Sequence, residues 1–319
     1  MCATSKRPPP VDLNLVRLSS MQKRPSRSHT EHFARPLESE TGADFFESLP
    51  ESLKATELQE FLQLSVEARR QGRPFHLLLG AHTIKVGLSP VIIDLMRRDI
   101  VTGLSFNSAG LIHDLEVAFF GATSEDVQAG LSDGSFGMVA ETGELFADVC
   151  RLAQNRTIGL GEAAGVLINK ESAPKRDYSL FSAAQSLELP ATVHLSVGTD
   201  IVAQQPSFDA AAAAAASHLD FRILCAVCGA LDRGGVVANI GSAVILPEVF
   251  LKALTVARNL GGGPSRLTTA NFDMITHYRP LQNVVRRPTC DVGRGFNFVG
   301  HHELMIPLLA WGLRIKFAG

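Results

Sequence analysis

Phe75-His76-Leu77-Leu78-Leu79 is a short apolar run that ends at Gly80. A run of this length, closed by a glycine, predicts a buried β-strand. A helix is predicted soon after it, because Ser89 can cap a helix and Pro90 suits the first helical position. A second apolar segment follows at 100–106. Strand, helix and strand in this order predict a βαβ unit, whose two strands are parallel.

The same alternation continues along the rest of the chain. Further strands are predicted at 192–197, 236–240, 266–270 and 296–299, and helices at 52–70, 109–120, 210–231, 247–259 and 303–313. Alternation of this kind predicts an α/β fold with a doubly wound, mainly parallel sheet. The sheet is Rossmann-like without the GxGxxG fingerprint, since that motif and the GxxxxGK[ST] loop are both missing from the sequence.

The N-terminal segment differs in composition from the rest. Residues 1–36 carry seven Lys/Arg against two Asp/Glu and contain the run Pro8-Pro9-Pro10. Such a segment buries too little apolar surface to order itself. We predict a basic arm at 1–36, which is either disordered or covers a neighbouring subunit, and one folded domain at 37–319.

The overall charge and apolar content narrow the classes of partner. A net charge of −2 gives no electrostatic reason to expect nucleic acid or an anionic membrane as the main partner. We expect no membrane span and no secretory signal, and hence a cytoplasmic protein with a small-molecule ligand. Cys225 and Cys228 lie in an apolar stretch and are expected to pack in a core rather than bind metal, and no metal site is predicted.

Small and polar residues lie at the ends of five predicted strands or just after them, at 80–85, 107–110, 198–200, 241–243 and 268–271. Each segment alone is ordinary turn chemistry. Together they matter, because ligands of parallel sheets bind beyond the carboxyl ends of the strands, where backbone N–H groups can approach a phosphate. The five segments together indicate a nucleotide ligand.

Several of these segments carry a family resemblance. Asn107-Ser108-Ala109-Gly110, followed by His113-Asp114, resembles the turn and acidic residues of deoxyhypusine synthases. The segments 190–200 and 267–273 run parallel to the same family. Gly-Ser-Ala-Val at 241–244 and Thr-Thr-Ala-Asn-Phe-Asp at 268–273 are similar to bacterial deoxyhypusine-synthase-like proteins. The resemblance covers roughly residues 40–315.

The resemblance implies a homotetrameric enzyme that binds NAD and takes a hydride from spermidine. In that family a lysine in a Trp-Gly-Lys segment then accepts the aminobutyl group. This chain has Gln-Asn-Val-Val-Arg-Arg-Pro at the matching place, 282–288, with neither lysine nor tryptophan. Arginine cannot replace the lysine, because its guanidinium stays protonated and is a poor nucleophile. The standard covalent step is therefore not expected.

The resemblance also assigns roles to residues at the strand ends. NAD is expected to contact Asn107, Ser108, Ala109, Gly110, Asp200, Ser242, Thr269, Ala270 and His301. Asp114 and His113 are expected to recognise the amine substrate, whereas Glu116, two residues beyond Asp114, is expected on the helix surface. Proton abstraction or nucleophilic attack is expected from Glu248, Lys85 or His82.

Three functions remain open at this stage. The first is an NAD-dependent, amine-processing transferase without the usual lysine. The second is a transfer to a free diamine, as in homospermidine synthases of similar fold. The third is a nucleotide-binding protein that has lost the chemistry. A protein-modifying reaction would additionally require an acceptor lysine in another chain.

Overall fold

A computed structural model describes residues 42–261 and 263–318, so the arm predicted at 1–36 lies outside the described residues. Six parallel strands form one sheet in the order β3-β2-β1-β4-β5-β6. The strands are β1 (Phe75–Leu79), β2 (Gly103–Asn107), β3 (Ala191–His194), β4 (Gly235–Ile240), β5 (Leu267–Asp273) and β6 (Arg294–Val299). This order confirms the predicted doubly wound α/β fold, because strand order reverses between β1 and β4.

Thirteen α-helices are described along the chain. They are α1 (Gly42–Ser48), α2 (Leu53–Arg70), α3 (His82–Lys85), α4 (Ser89–Arg97), α5 (Ser108–Phe120), α6 (Val127–Asp133), α7 (Ala140–Arg156), α8 (Leu160–Lys170), α9 (Leu180–Ser186), α10 (Ala210–Ala230), α11 (Ile245–Asn259), α12 (Tyr278–Pro280) and α13 (His302–Ala318). A π-helix (Leu281–Arg286) continues α12. The helices of the long β2–β3 connection, α6 to α9, had no counterpart in the sequence analysis.

Alternate residues of β1 belong to two separate cores. Leu77 and Leu79 pack in a large core with residues of α2, α4, α5, α9 and α13. Leu78 packs in a smaller core with residues of α10 and α11 and with Val284 of the π-helix. Since successive strand side chains point to opposite faces, helices cover both faces of the sheet. Val284 therefore anchors the segment 282–288 in the smaller core.

Helix α10, with 21 residues, is long and apolar enough to cross a membrane by length and composition. No such segment is predicted from the sequence. The helix nevertheless contains Asp220, which is fully buried and accepts hydrogen bonds from the backbone N–H of Val193 and of Gly161. Cys225 and Cys228 are buried in it, and burial raises the pKa of both thiols. These contacts are those of a helix packed against β3.

A ladder of asparagine side chains crosses β4, β5 and β6. Asn239, Asn271 and Asn297 occupy the same register on the three strands. The Asn239 amide donates to the Asn271 side-chain oxygen at 2.8 Å, and the Asn271 amide donates to that of Asn297 at 2.8 Å. The ladder fixes the carboxyl ends of the three strands relative to one another.

Replacing the middle residue of this ladder tests its contribution. Asn271→Ala removes both hydrogen bonds. One N–H of the buried Asn239 amide and the side-chain oxygen of the half-buried Asn297 then lose these partners, and each unpaired buried group costs about 1–3 kcal/mol. We expect a loss of about 2–4 kcal/mol in the free energy of unfolding, measured by urea denaturation. Asn259→Ala, at an exposed position, is the control and should change it by less than about 0.5 kcal/mol. Equal effects of the two substitutions would contradict a stabilising role for the ladder.

Candidate functional site

The backbones of two glycines meet where the strand order reverses. The Gly80 N–H, just beyond β1, donates to the Ile240 carbonyl at the end of β4 at 2.8 Å. A Cβ added to Gly80 would overlap with the carbonyl of Gly241. From this point the chain after β1 turns toward one face of the sheet and the chain after β4 toward the other. Only glycine at position 80 allows the two strand ends to approach so closely.

The turn after β4 is held by side chains of the strands. Asn239 donates to the Ser242 carbonyl at 3.0 Å, and the Ser242 hydroxyl accepts from the Leu246 N–H at 3.2 Å. The Ser242 side chain therefore caps α11. The other amide atom of Asn239, Oδ1, is buried and has no hydrogen-bond partner among the described residues.

Two histidines and an aspartate lie against the switch point, which is the place between β1 and β4 where the strand order reverses. The ring of His302, at the start of α13, lies over Gly241, so that a Cβ there would be 2.9 Å from His302 Cε1. The ring centroids of His82 and His302 are 5.4 Å apart. His302 Nε2 is 3.3 Å from the Phe272 carbonyl oxygen and 3.9 Å from Asp273 Oδ1. His82 and the neighbouring His301 are predicted site residues, whereas His302 and Asp273 were not predicted.

His301 and Lys85 are the more exposed groups of this edge. The His301 side chain is 67% exposed, and its Nδ1 lies 3.8 Å from Glu303 Oε1. Lys85 is exposed and ends α3, three residues after His82. The Lys85 side chain also lines a neighbouring cleft. His82 and Lys85 are three residues apart on α3, so their side chains lie on the same side of this helix.

The cleft lies beyond the carboxyl ends of β2 and β3 and has a volume of about 200 Å³. Its ionisable lining residues are Lys85, His113, Glu116, Glu125 and Asp200. Three carboxylates against one lysine make the cleft acidic. The cleft therefore brings together three predicted residues, His113, Asp200 and Lys85. Two further carboxylates, Glu116 and Glu125, were not predicted to lie there.

Glu116 is held in the cleft by three side chains rather than lying on the helix surface as predicted. Thr123 donates to its Oε2, Thr142 donates to its Oε1 at 2.9 Å, and His113 Nδ1 is 3.6 Å from Oε2. Burial alone would raise the pKa of Glu116, but the hydrogen bonds from His113, Thr123 and Thr142 outweigh it and lower the pKa. Glu116 therefore contributes a negative charge at neutral pH.

Asp114 does not reach the cleft, contrary to the prediction that it points toward substrate. It is fully buried and accepts hydrogen bonds from the Ser179 hydroxyl at 2.5 Å and the Leu180 N–H at 2.8 Å. Burial raises its pKa to about 6. Because Asp114 and Glu116 are two residues apart on α5, packing of α9 on one side leaves the other residue facing the cleft.

The turn before α5 is used for structure as well as for the cleft. Asn107 caps α5 by accepting from the Gly110 N–H at 3.2 Å. The Ser108 hydroxyl donates to Asp200, linking the ends of β2 and β3, and burial raises the pKa of Asp200. A Cβ on Gly110 would overlap with the Phe106 ring, so Gly110 allows α5 to approach β2. Ala109 lines the cleft.

Three other predicted residues lie away from the cleft. Thr269 and Ala270 are fully buried inside β5, not beyond it, because the strand extends to Asp273 rather than ending at 270. Placing them at the edge of the sheet was wrong. Glu248, on the first turn of α11, is bound by Lys252, Arg279 and Asn283, and the hydrogen bond from Lys252 is the main reason for its lowered pKa. A carboxylate held in this way is a weak base.

Comparisons with known proteins reach only the level of the fold. No protein-family model matches the sequence, and no curated protein matches it. A solved structure described as a conserved LOR/SDH protein from Methanococcus maripaludis S2 gives a TM-score of 0.51 at 13% identity, over 88% of this chain and 72% of that one. The complex of AgrE with ornithine and NAD+ gives a TM-score of 0.53 at 12% identity, over 82% of this chain and 33% of that one.

The chain therefore spans about a third of AgrE and shares a fold with a protein that holds NAD+. A structure described as a deoxyhypusine synthase, from Entamoeba histolytica, gives a TM-score of 0.43 at 9% identity, over 76% of each chain. That similarity is too low to support the family resemblance. The relationship that the structures show is a distant one between sheets of the same Rossmann-like kind.

Proposed function

We propose that this protein is an NAD-dependent enzyme that oxidises the carbon bearing an amino group in a small cationic amine. One observation carries the proposal, namely the acidic cleft beside the point where strand order reverses. Doubly wound sheets bind dinucleotides in the crevice at such a point. The carboxylates of Glu116, Glu125 and Asp200 in the adjoining cleft suit a positively charged amine. AgrE, whose fold is similar, holds both NAD+ and the amino acid ornithine.

The residues at the switch point fit a dinucleotide. Asn239 Oδ1 and Asp273 Oδ2 are buried polar atoms without hydrogen-bond partners among the described residues, and both belong to strands that end at this point. Hydroxyl groups of a ligand could donate to both. Gly80 and Gly241 contribute no side chain of their own to the crevice. Asn239, Ser242 and Asp273 are the residues that we expect to hold the cofactor.

The chemistry divides between cofactor and protein. NAD, when bound, accepts the hydride from the carbon next to nitrogen. The protein removes one proton from the ammonium nitrogen, so that an amine R–CH2–NH3+ and NAD+ give R–CH=NH2+, NADH and a proton. His82 lies beside the switch point, and Lys85 lines the cleft. The absence of lysine from the partly buried segment 282–288 supports release of the imine to water or to a free diamine, rather than a covalent intermediate there.

NAD binding and NADH formation test the proposal directly. We expect NAD+ to raise the melting temperature of the unchanged protein, because a ligand that binds only the folded state stabilises it. The absorbance of NADH should then increase on addition of putrescine, spermidine, agmatine or ornithine. No stabilisation by NAD+ at millimolar concentration would refute the cofactor assignment. Stabilisation without NADH from any of these amines would favour a protein that binds nucleotide without catalysis.

Substitution of Glu116 tests the cleft as the amine site. Glu116→Gln keeps an acceptor oxygen for Thr142 but removes the negative charge. A hydrogen bond to a charged group is worth about 1.5–3 kcal/mol, so we expect KM for the amine to rise about 10-fold to 100-fold with unchanged affinity for NAD+. Glu141→Gln, at an exposed position of α7, is the matched control and should leave KM unchanged. Equal KM values for the two variants would place the amine elsewhere.

A further inference from the structure

His82 and His302 belong to different parts of the chain but meet at the switch point. His82 opens α3, just after β1, and His302 opens α13, just after β6. Their ring centroids are 5.4 Å apart with an interplanar angle of 60°. His82 is partly exposed, whereas His302 is 1% exposed. The partly exposed imidazole of His82 therefore lies next to the buried imidazole of His302, directly beside the predicted cofactor crevice.

The buried histidine is fixed in place but incompletely hydrogen-bonded. His302 Nε2 faces the Phe272 carbonyl at 3.3 Å, and its ring lies over Gly241. Its Nδ1 is buried and has no hydrogen-bond partner among the described residues. Asp273 Oδ2 likewise has no hydrogen-bond partner there, and His277 Nε2 lies 3.9 Å from it. Buried polar atoms are normally hydrogen-bonded, so an imidazole nitrogen and a carboxylate oxygen that both lack a hydrogen bond at one place require an explanation.

We propose that His302 is a positioning residue that keeps the imidazole of His82 neutral and oriented, so that His82 is the base that removes the ammonium proton of the substrate. This inference rests on the proposed function and names the base for it. In the reaction, the N–H bond of the ammonium breaks and its proton passes to His82. The C–H bond next to nitrogen breaks with transfer of a hydride to NAD+, and protonated His82 later releases its proton to water.

Charged groups around His82 act in opposite directions. Burial lowers the pKa of His82, and the nearby His302 and Lys85 lower it further. Glu303 and Asp273 oppose this and raise it. A lowered pKa keeps the imidazole unprotonated, and thus able to accept a proton, over more of the neutral range. Replacing His302 and replacing Asp273 should therefore shift the titration of His82 in opposite directions.

Histidine titration by NMR tests this inference without cofactor or substrate. In the free protein the His82 imidazole signal, identified by its loss in His82→Gln, should titrate below the ordinary midpoint of 6.5. The midpoint should move upward in His302→Gln and downward in Asp273→Asn. His301→Gln replaces an exposed neighbour on the same turn and is the matched control, with no shift expected. If His302→Gln fails to fold, Asp273→Asn still gives a signed result.

Kinetics then connect the titration to catalysis. The acidic limb of kcat/KM should follow the His82 midpoint in each variant, and His82→Gln should lower kcat/KM about 10²-fold to 10⁴-fold with NAD+ affinity unchanged. An unmoved His82 midpoint in both variants overturns the inference, as does an acidic limb that does not follow it. Failure of the proposed function is distinguishable, because the unchanged protein would then form no NADH while the NMR midpoints still moved.

Discussion

Between about pH 4 and about pH 8, the unchanged protein is expected to lose about 4 kcal/mol of stability relative to an Asp220→Asn variant. Asp220 is fully buried. Burial raises its pKa from 3.8 to about 7, although the backbone N–H groups of Val193 and Gly161 act against this. A rise of about three units, at about 1.4 kcal/mol per unit, gives this magnitude.

The direction follows from proton binding. Between pH 3.8 and about 7 the folded protein keeps the Asp220 proton, whereas the unfolded chain loses it. The unfolded state therefore binds fewer protons, and stability falls as the pH rises through this interval. Asparagine has no such proton and still offers an oxygen to both N–H groups. The difference between the two proteins isolates Asp220 from other groups that titrate in the same range.

The stability of the protein also depends on the protonation of two buried histidines. The comparison with Asp220→Asn is needed to separate their effect from that of Asp220. Burial lowers the pKa of His76 to about 3 and that of His194 to about 4. Their contribution to stability is present above the unfolded value of 6.5 and is lost as the pH falls, opposite in sign to that of Asp220. Urea denaturation of both proteins at several pH values gives the comparison. Asp114→Asn should show a smaller change of the same sign, since the Asp114 pKa is raised only to about 6. A stability difference between wild type and Asp220→Asn that does not vary with pH would contradict the argument.

The apolar strands could be predicted from the sequence because each is a run of consecutive apolar residues. Phe75–Leu79 and Gly235–Ile240 are buried along their whole length, as central strands of a parallel sheet must be. The end of β5 was not predictable in this way. Asn271 and Asp273 are of residue types depleted in strands. Asn271 continues the strand where β4 and β6 supply Asn239 and Asn297 as hydrogen-bond partners. Those partners are distant in the sequence.

The location of the candidate site could be predicted from the sequence, but the side chains that form it could be predicted only in part. Carboxyl ends of parallel strands meet at one edge, so His82, Ser108 and Asp200 could be assigned to the same region without a structure. The choice between Asp114 and Glu116 could not, because it depends on which face of α5 is covered by α9. His301 and His302 could not be distinguished from the sequence, since both follow β6. Only the packing of α13 on Gly241 shows which of the two is buried.

Gly80→Ala is expected to abolish the stabilisation of the protein by NAD+. The backbone of Gly80 has no unusual torsion angle, so the substitution acts through contact alone. Its Cβ would overlap with the Gly241 carbonyl and approach Ser242 N to 3.1 Å. These are backbone atoms, which cannot rotate away as the end of a side chain can. The ends of β1 and β4 must then separate, at a cost of roughly 1–3 kcal/mol.

The separation also changes the predicted cofactor crevice, because the turn after β4 begins at Gly241. Thermal unfolding with and without NAD+ measures both effects in one experiment. Gly87→Ala is the control, since Gly87 has a φ of +77° and open space around its Cα. That variant should lose about 1–2 kcal/mol from its left-handed backbone and keep the NAD+ effect. If Gly80→Ala is destabilised but keeps the full NAD+-dependent stabilisation, the cofactor does not bind at the reversal of strand order, and the acidic cleft must be considered apart from it.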